Sequence, residues 1–177
     1  MSSFITGVNV SGQQGFVLMG LLTGGIRGGK RFKACLPGGV STPYLTAAHL
    51  DVPMDFSHLE EVHSRLGTAG VTAFDEDTCM VAATRNINRF FARESCGWCT
   101  PCRDGLQLVS WLLDKIETGR GSEDDLAMLH DQVRNITGHA FCALAEGAMG
   151  PVESLLRLFE DEIKEHIRKG RCPFDHS

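Results

Sequence analysis

The chain has 177 residues, 42% of them hydrophobic, and a formal charge of -5 because Asp and Glu outnumber Lys and Arg. A chain of this length buries a genuine core in one domain or two small ones, and its scattered cations leave no electrostatic footprint for nucleic acid. The apolar run FVLM near the start is interrupted by Gly20 and is far too short to cross a bilayer, with no charged leader segment before it, so neither membrane insertion nor export is expected.

In chain order, the first half is rich in glycine and short apolar runs. FITGVNV (4–10), FKACLPGG (32–39) and VTAFD (71–75) read as short strands separated by turn material. GFVLMGLLTGG (15–25) reads as one short helix stopped by Gly24 and Gly25. GGIRGGKR (24–31) nearly spells a phosphate-binding loop, but Arg31 stands where a magnesium-binding hydroxyl is needed, so it reads as a turn.

From about residue 76 the period changes to that of helices. The first helix starts with acidic residues suited to a positive dipole end and places Met80, Val81, Thr84, Ile87, Phe90 and Phe91 on one face. A second follows Pro101, with Leu106, Val109, Leu112, Leu113 and Ile116 as its stripe and Gly119 as its stop. The third has Ser122 as N-cap and Leu126, Leu129, Val133 and Ile136 before Gly138. The fourth begins at Pro151 as its first helical residue, with Val152, Leu155, Leu156, Phe159, Ile163 and Ile167 as a stripe. The expected fold class is α+β: a small mixed domain over 1–70 and a four-helix bundle over 71–177.

Seven cysteines, three of them packed into ESCGWCTPCRDG (94–105), fit a reducing compartment better than a secreted disulfide framework. Three chemistries stand on these residues. Cys96, Cys99 and Cys102 follow C-x2-C-x2-C, and Cys142 stands alone downstream; three thiolates on one loop reach three corners of an iron–sulfur cubane while the fourth comes from elsewhere in the fold. A zinc site of four cysteines typically uses two C-x2-C pairs, and the second pair is missing. A redox dithiol would use Cys99 and Cys102 of WCTPC, but such a pair wants a strand before it, and the preceding segment reads helical.

Cys35 and Cys79 sit in apolar segments and read as small buried residues, and Cys172 near the end as an exposed, oxidisable thiol. Trp98 and Trp111 read as packing residues. Arg103 and Glu94 flank the cysteines, suited equally to tuning an anionic centre or to a solvated pair, and His139 stands three residues before Cys142, suited either to tuning or to a loop bond.

ESCGWCTPCRDG with HAFCAL resembles the cluster-binding region of the NADH-binding flavoprotein family of NADH:quinone oxidoreductase, respiratory complex I. FKACLPGG, AHLDVPMDF, SRLGTA, NINRFFARES and HIRKGRCP extend the likeness over roughly residues 24–173. The resemblance implies one 4Fe-4S cluster held by Cys96, Cys99, Cys102 and Cys142, accepting electrons singly from reduced FMN after NADH oxidation and passing them toward quinone. It also implies an incomplete beta-grasp (ubiquitin-like) domain before the helical one. Its expected partners are other peripheral-arm subunits, a thioredoxin-like 2Fe-2S subunit and a large iron–sulfur subunit, placing the chain peripherally on the cytoplasmic side of the inner membrane. The family's large FMN- and NADH-binding domain has no counterpart in these residues, so FMN and NAD(H) are expected only in a full-length subunit, and NADH oxidation is not expected of this chain alone. The diaphorase subunit of a soluble NAD-linked hydrogenase or formate dehydrogenase carries the same motif and is the alternative; a zinc-stabilised interaction module is the alternative from another class.

Overall fold

The computed structural model describes Ile26 and residues 29–174. The chain divides into two compact units, Met1–Thr78 and Cys79–Ser177. The strand expected at 4–10 and the helix expected at 15–25 lie outside the described residues.

In the first unit, β1 (Phe32–Leu36) is the centre of a three-stranded antiparallel sheet ordered β2-β1-β3, with β2 at Leu45–Thr46 and β3 at Thr72–Asp75. Cys35 pairs with Leu45 on one side and Ala73 on the other, and the register slips between Phe32 and Ala34. These strands form where Cys35, Leu45, Val71 and Ala73 can be buried together with Met54 and Leu59. Leu59 belongs to a short helix that sequence patterning does not reveal, α1 (Phe56–Glu61), started by Asp55, whose side chain accepts the His58 N–H. The PGG turn after β1 needs glycine at Gly38, because a Cβ there would collide with the Leu66 carbonyl.

The second unit is helical: α2 (Met80–Glu94), α3 (Leu106–Glu117), α4 (Glu123–Ile136), α5 (Ala143–Leu158) and α6 (Glu160–Lys169). With the three-stranded sheet this makes the fold α+β, but with five helices in this unit rather than the expected four. The stripes Leu106, Val109, Leu112, Leu113 and Ile116 on α3, and Leu126, Leu129 and Ile136 on α4, are buried. Full burial of such a side chain contributes about 1.5–3 kcal/mol relative to exposure. Ser122 caps α4 as expected, in a capping box with Asp125.

The structure corrects four expectations. The acidic residues at 75–77 precede α2 instead of filling its first turn; Cys79 is the N-cap, its Sγ accepting the Ala82 N–H at 3.2 Å. Phe90 is half exposed, while its neighbour Phe91 takes the buried position. Pro151 does not start a helix but lies inside α5. Its missing N–H is tolerated there beside the buried Gly147 and Gly150, and the Ser154 hydroxyl donates to the Gly150 carbonyl at 2.8 Å. The expected last helix is instead broken at Phe159, and α6 ends at Gly170 in the left-handed conformation that glycine adopts most easily.

Candidate functional site

The cysteine-rich loop leaves the C-terminus of α2 at Ser95, turns through Gly97 with φ +78°, and enters a π-helical turn at Pro101–Gly105 that runs straight into α3. Pro101 costs nothing at this helix start, where its N–H would lack an intrahelical partner. Such wide turns occur mostly at functional sites. Two contacts seat the loop. The Gln107 side chain donates to the Ala92 carbonyl at 3.2 Å, and the buried Asn88 donates to the Leu106 carbonyl at 3.0 Å. Gly105 lies directly on Ile136 of α4, where a Cβ would come within 2.8 Å of that side chain.

Cys96 is exposed, Cys99 half-buried and Cys102 buried. Cys142 is exposed and forms the N-cap of α5, so its thiol stands at the positive end of a sixteen-residue helix dipole. The loop carrying it is fixed by Gly138, whose N–H donates to Glu146 at 2.8 Å, and by Thr137, whose hydroxyl donates to Glu153 at 2.7 Å. Cys142 therefore sits at a helix start, not in the long loop that a helix beginning at Pro151 would require.

The Cys102 thiol is pushed up first by burial, against a hydrogen bond with Ser95, and further by the nearby sulfurs of Cys99, Cys142 and Cys96. Cys96 and Cys99 lie in the loop, Cys102 in the π-helical turn and Cys142 at the start of α5, and thiols are the donors that iron–sulfur clusters take. Ser95 Oγ lies 3.1 Å from Cys102 Sγ and accepts the Gly97 N–H at 3.3 Å.

The family model for the NADH-ubiquinone oxidoreductase-F iron-sulfur binding region matches residues 82–166, a span that encloses all four of these cysteines. Residues 82–166 thus carry the iron–sulfur binding region of that family. Its iron–sulfur centre is accordingly of the 4Fe-4S type. The F component of NADH-quinone oxidoreductase from Mycobacterium tuberculosis H37Rv is 47% identical over 152 residues, covering 86% of this chain and 34% of that protein. The F component of the Escherichia coli K12 enzyme is 45% identical over 155 residues, covering 87% and 34%. The chain thus spans about a third of the length of these relatives and corresponds to their C-terminal part. A solved NAD+-reducing [NiFe]-hydrogenase in its H2-reduced state superposes with a TM-score of 0.75 at 29% identity, over 90% of this chain and 26% of that one. Among the described residues, no helix is long and apolar enough to cross a membrane.

Some neighbours of these cysteines take up a role the sequence left open, and others depart from expectation. Arg103 does not offer its charge freely: Nε and Nη2 donate to Asp104 at 3.0 and 2.9 Å. His139 is exposed and bonds the Thr137 carbonyl through Nδ1 at 2.8 Å, a loop role. Trp98 and Trp111, expected in the core, are 77% and 54% exposed, and Phe141 beside Cys142 is 81% exposed. Cys35 is buried as expected, its thiol pushed up to about 12 by desolvation. Cys79 and Cys172, which the sequence presents as bystanders, meet Glu117 and His166 in a second cluster of ligand-type side chains. The one local hint is His166, which falls three residues after Ile163 on the apolar stripe and six before Cys172.

Proposed function

We propose that Cys96, Cys99, Cys102 and Cys142 are the ligands of one 4Fe-4S cluster, and that this chain serves as a single-electron relay within an NADH:quinone oxidoreductase. What supports the assignment is that the sulfurs of Cys99, Cys142 and Cys96 lie near enough to Cys102 to push its thiol up, and that all four cysteines fall inside the family span.

The bound cluster supplies reversible one-electron transfer; the chain supplies everything that positions it. The turn at Gly97 and the helix start at Pro101 aim three thiols from one loop, and Cys142 brings the fourth with the α5 dipole behind it. The Ser95 hydroxyl is placed to donate to the Cys102 sulfur and stabilise its negative charge. NADH delivers a hydride, so a flavin must split the electron pair before this relay is used. In this reading the flavin domain belongs to the rest of a full-length subunit, and the electrons continue toward quinone. The partners are a thioredoxin-like 2Fe-2S subunit and a large iron–sulfur subunit on the cytoplasmic side of the inner membrane. The exposed Trp98 and Phe141, each next to a cysteine, suit a face that docks against such neighbours.

The likeness to the NAD+-reducing hydrogenase supports a second assembly, a soluble diaphorase, with the same cluster chemistry. Neighbouring reading frames discriminate them: membrane-subunit genes favour the first, hydrogenase or formate dehydrogenase genes the second. The chemistry itself is tested by a mediated redox titration of anaerobic protein. A one-electron transition with a reduced-state paramagnetic signal supports the relay; a two-electron thiol–disulfide transition without that signal rules it out.

A further inference from the structure

At one end of the helical unit, four side chains from four places in the sequence turn toward one point. Cys79 is the N-cap of α2, Glu117 the last residue of α3, His166 lies in α6, and Cys172 follows the Gly170 cap. Their ligand atoms all lie within 4.8 Å of one another. Cys79 Sγ is 3.3 Å from Glu117 Oε2 and 3.3 Å from His166 Nε2, and Nε2 is 3.3 Å from the same carboxylate oxygen. A tetrahedral zinc ion with bonds of about 2.0–2.3 Å holds its ligands roughly 3.3–3.8 Å apart. The spacing among Cys79, Glu117 and His166 is that of a coordination shell, with the Cys172 sulfur within 4.8 Å of each.

The surroundings are built for the same purpose. His166 is fully buried, and its Nδ1–H donates to the Glu162 carbonyl at 2.8 Å, which leaves the Nε2 lone pair pointing into the group. Facing it are the Glu117 carboxylate oxygen, which only accepts, and the Cys79 thiol, which donates to that oxygen while accepting the Ala82 N–H. A cation bound here takes the place of the thiol proton between sulfur and carboxylate. Glu162 also accepts the Met80 N–H at 2.6 Å, tying α6 to the start of α2. The backbones beside the group touch, because a Cβ on Gly119 would collide with the Gly170 carbonyl.

We propose that Cys79, Glu117, His166 and Cys172 form a structural zinc site, separate from the iron–sulfur cysteines. Two sulfurs, one imidazole and one carboxylate suit Zn²⁺, and four protein ligands close the shell, so the ion staples the fold and performs no reaction. The fifteen residues of α2 run about 22 Å from Cys79 to the cysteine-rich loop. The site lies at the opposite end of that helix from the proposed cluster. Its role is to tie the starts and ends of α2, α3 and α6 to the segment carrying Cys172.

The test uses the 177-residue chain, purified anaerobically from zinc-supplied cells, with zinc, iron and sulfide measured on one sample. About one zinc per chain is expected, with zinc X-ray absorption showing two sulfurs near 2.3 Å and two N/O ligands near 2.0 Å. Cys172→Ser and Glu117→Gln are expected to lower zinc retention at least tenfold while iron and sulfide stay at the wild-type level. If these variants do not fold, the absorption spectrum of the wild-type protein decides alone. Wild-type protein that stays zinc-free, zinc found only in an all-sulfur shell, or a Cys79–Cys172 disulfide in the anaerobic protein would each overturn the proposal. Zinc in the mixed shell of an iron-free protein upholds it while removing the cluster reading.

Discussion

Ser95 Oγ stands 3.1 Å from Cys102 Sγ, across the loop that carries three of the four proposed ligand thiols. A hydroxyl donating to a cluster sulfur stabilises the reduced, more negative state and raises the potential. Ser95→Ala is therefore expected to leave iron content unchanged and to lower the reduction potential by up to about 60 mV, a tenfold change for one electron. A mediated titration followed by electron paramagnetic resonance measures it; an unchanged potential would mean the bond does not reach a ligand.

Gly105→Ala places a methyl group 2.8 Å from Ile136 Cγ1 and Cδ1. Overpacking of this kind costs about 1–3 kcal/mol. The variant should unfold at lower denaturant, and adding Ile136→Val should restore part of the loss by vacating the volume. An additive, non-rescued pair would show that the glycine serves the backbone of the π-helical turn instead.

Asp125, 4% exposed, accepts from Lys115 at 2.8 Å and from the Ser122 N–H and hydroxyl at 2.8 Å each. Burial opposes its ionisation, but these partners outweigh it and hold the carboxyl below its ordinary range. A depressed folded value gives stability that is fully present above the unfolded pKa of about 3.9 and is lost as pH falls through the folded value. Asp125→Asn should cost about 1–2 kcal/mol at neutral pH. Denaturant melts should show this gap closing as pH drops below about 4; a gap independent of pH would contradict the ionised pair.

The legible parts of this molecule are those whose signal is local. The α3 stripe from Leu106 to Ile116 repeats every three or four residues, and Ser122 reads as a cap from its immediate sequence, because both are set by near neighbours in the chain. Cys96, Cys99 and Cys102 announce themselves by spacing. The start of α5 does not, because Ala145, Gly147, Ala148 and Gly150 bury small side chains that make no stripe, and Pro151 imitates a helix start. The group of Cys79, Glu117, His166 and Cys172 is illegible for another reason: its members are brought together only by the packing of α2, α3 and α6. Trp98 misleads because a large aromatic normally gains by burial, whereas here it is held on the surface beside the cysteines.

Cys142→Ser and Cys35→Ala separate a ligand from a core thiol. Cys35 lies in β1 of the other unit, fully buried, and its loss should lower stability slightly while iron and sulfide per chain stay unchanged. Loss of Cys142 should reduce both or degrade the cluster to one with fewer irons. Equal iron in both variants would remove Cys142 from the ligand set.

The most direct measurement is the iron and acid-labile sulfide content of the anaerobically purified chain, read alongside its reduced-state paramagnetic spectrum. About four irons and four sulfides per chain are predicted, with the signal lost when Cys96, Cys99 or Cys102 is replaced by serine. A folded, colourless protein without iron or sulfide, or one whose signal survives all three replacements, would contradict the account.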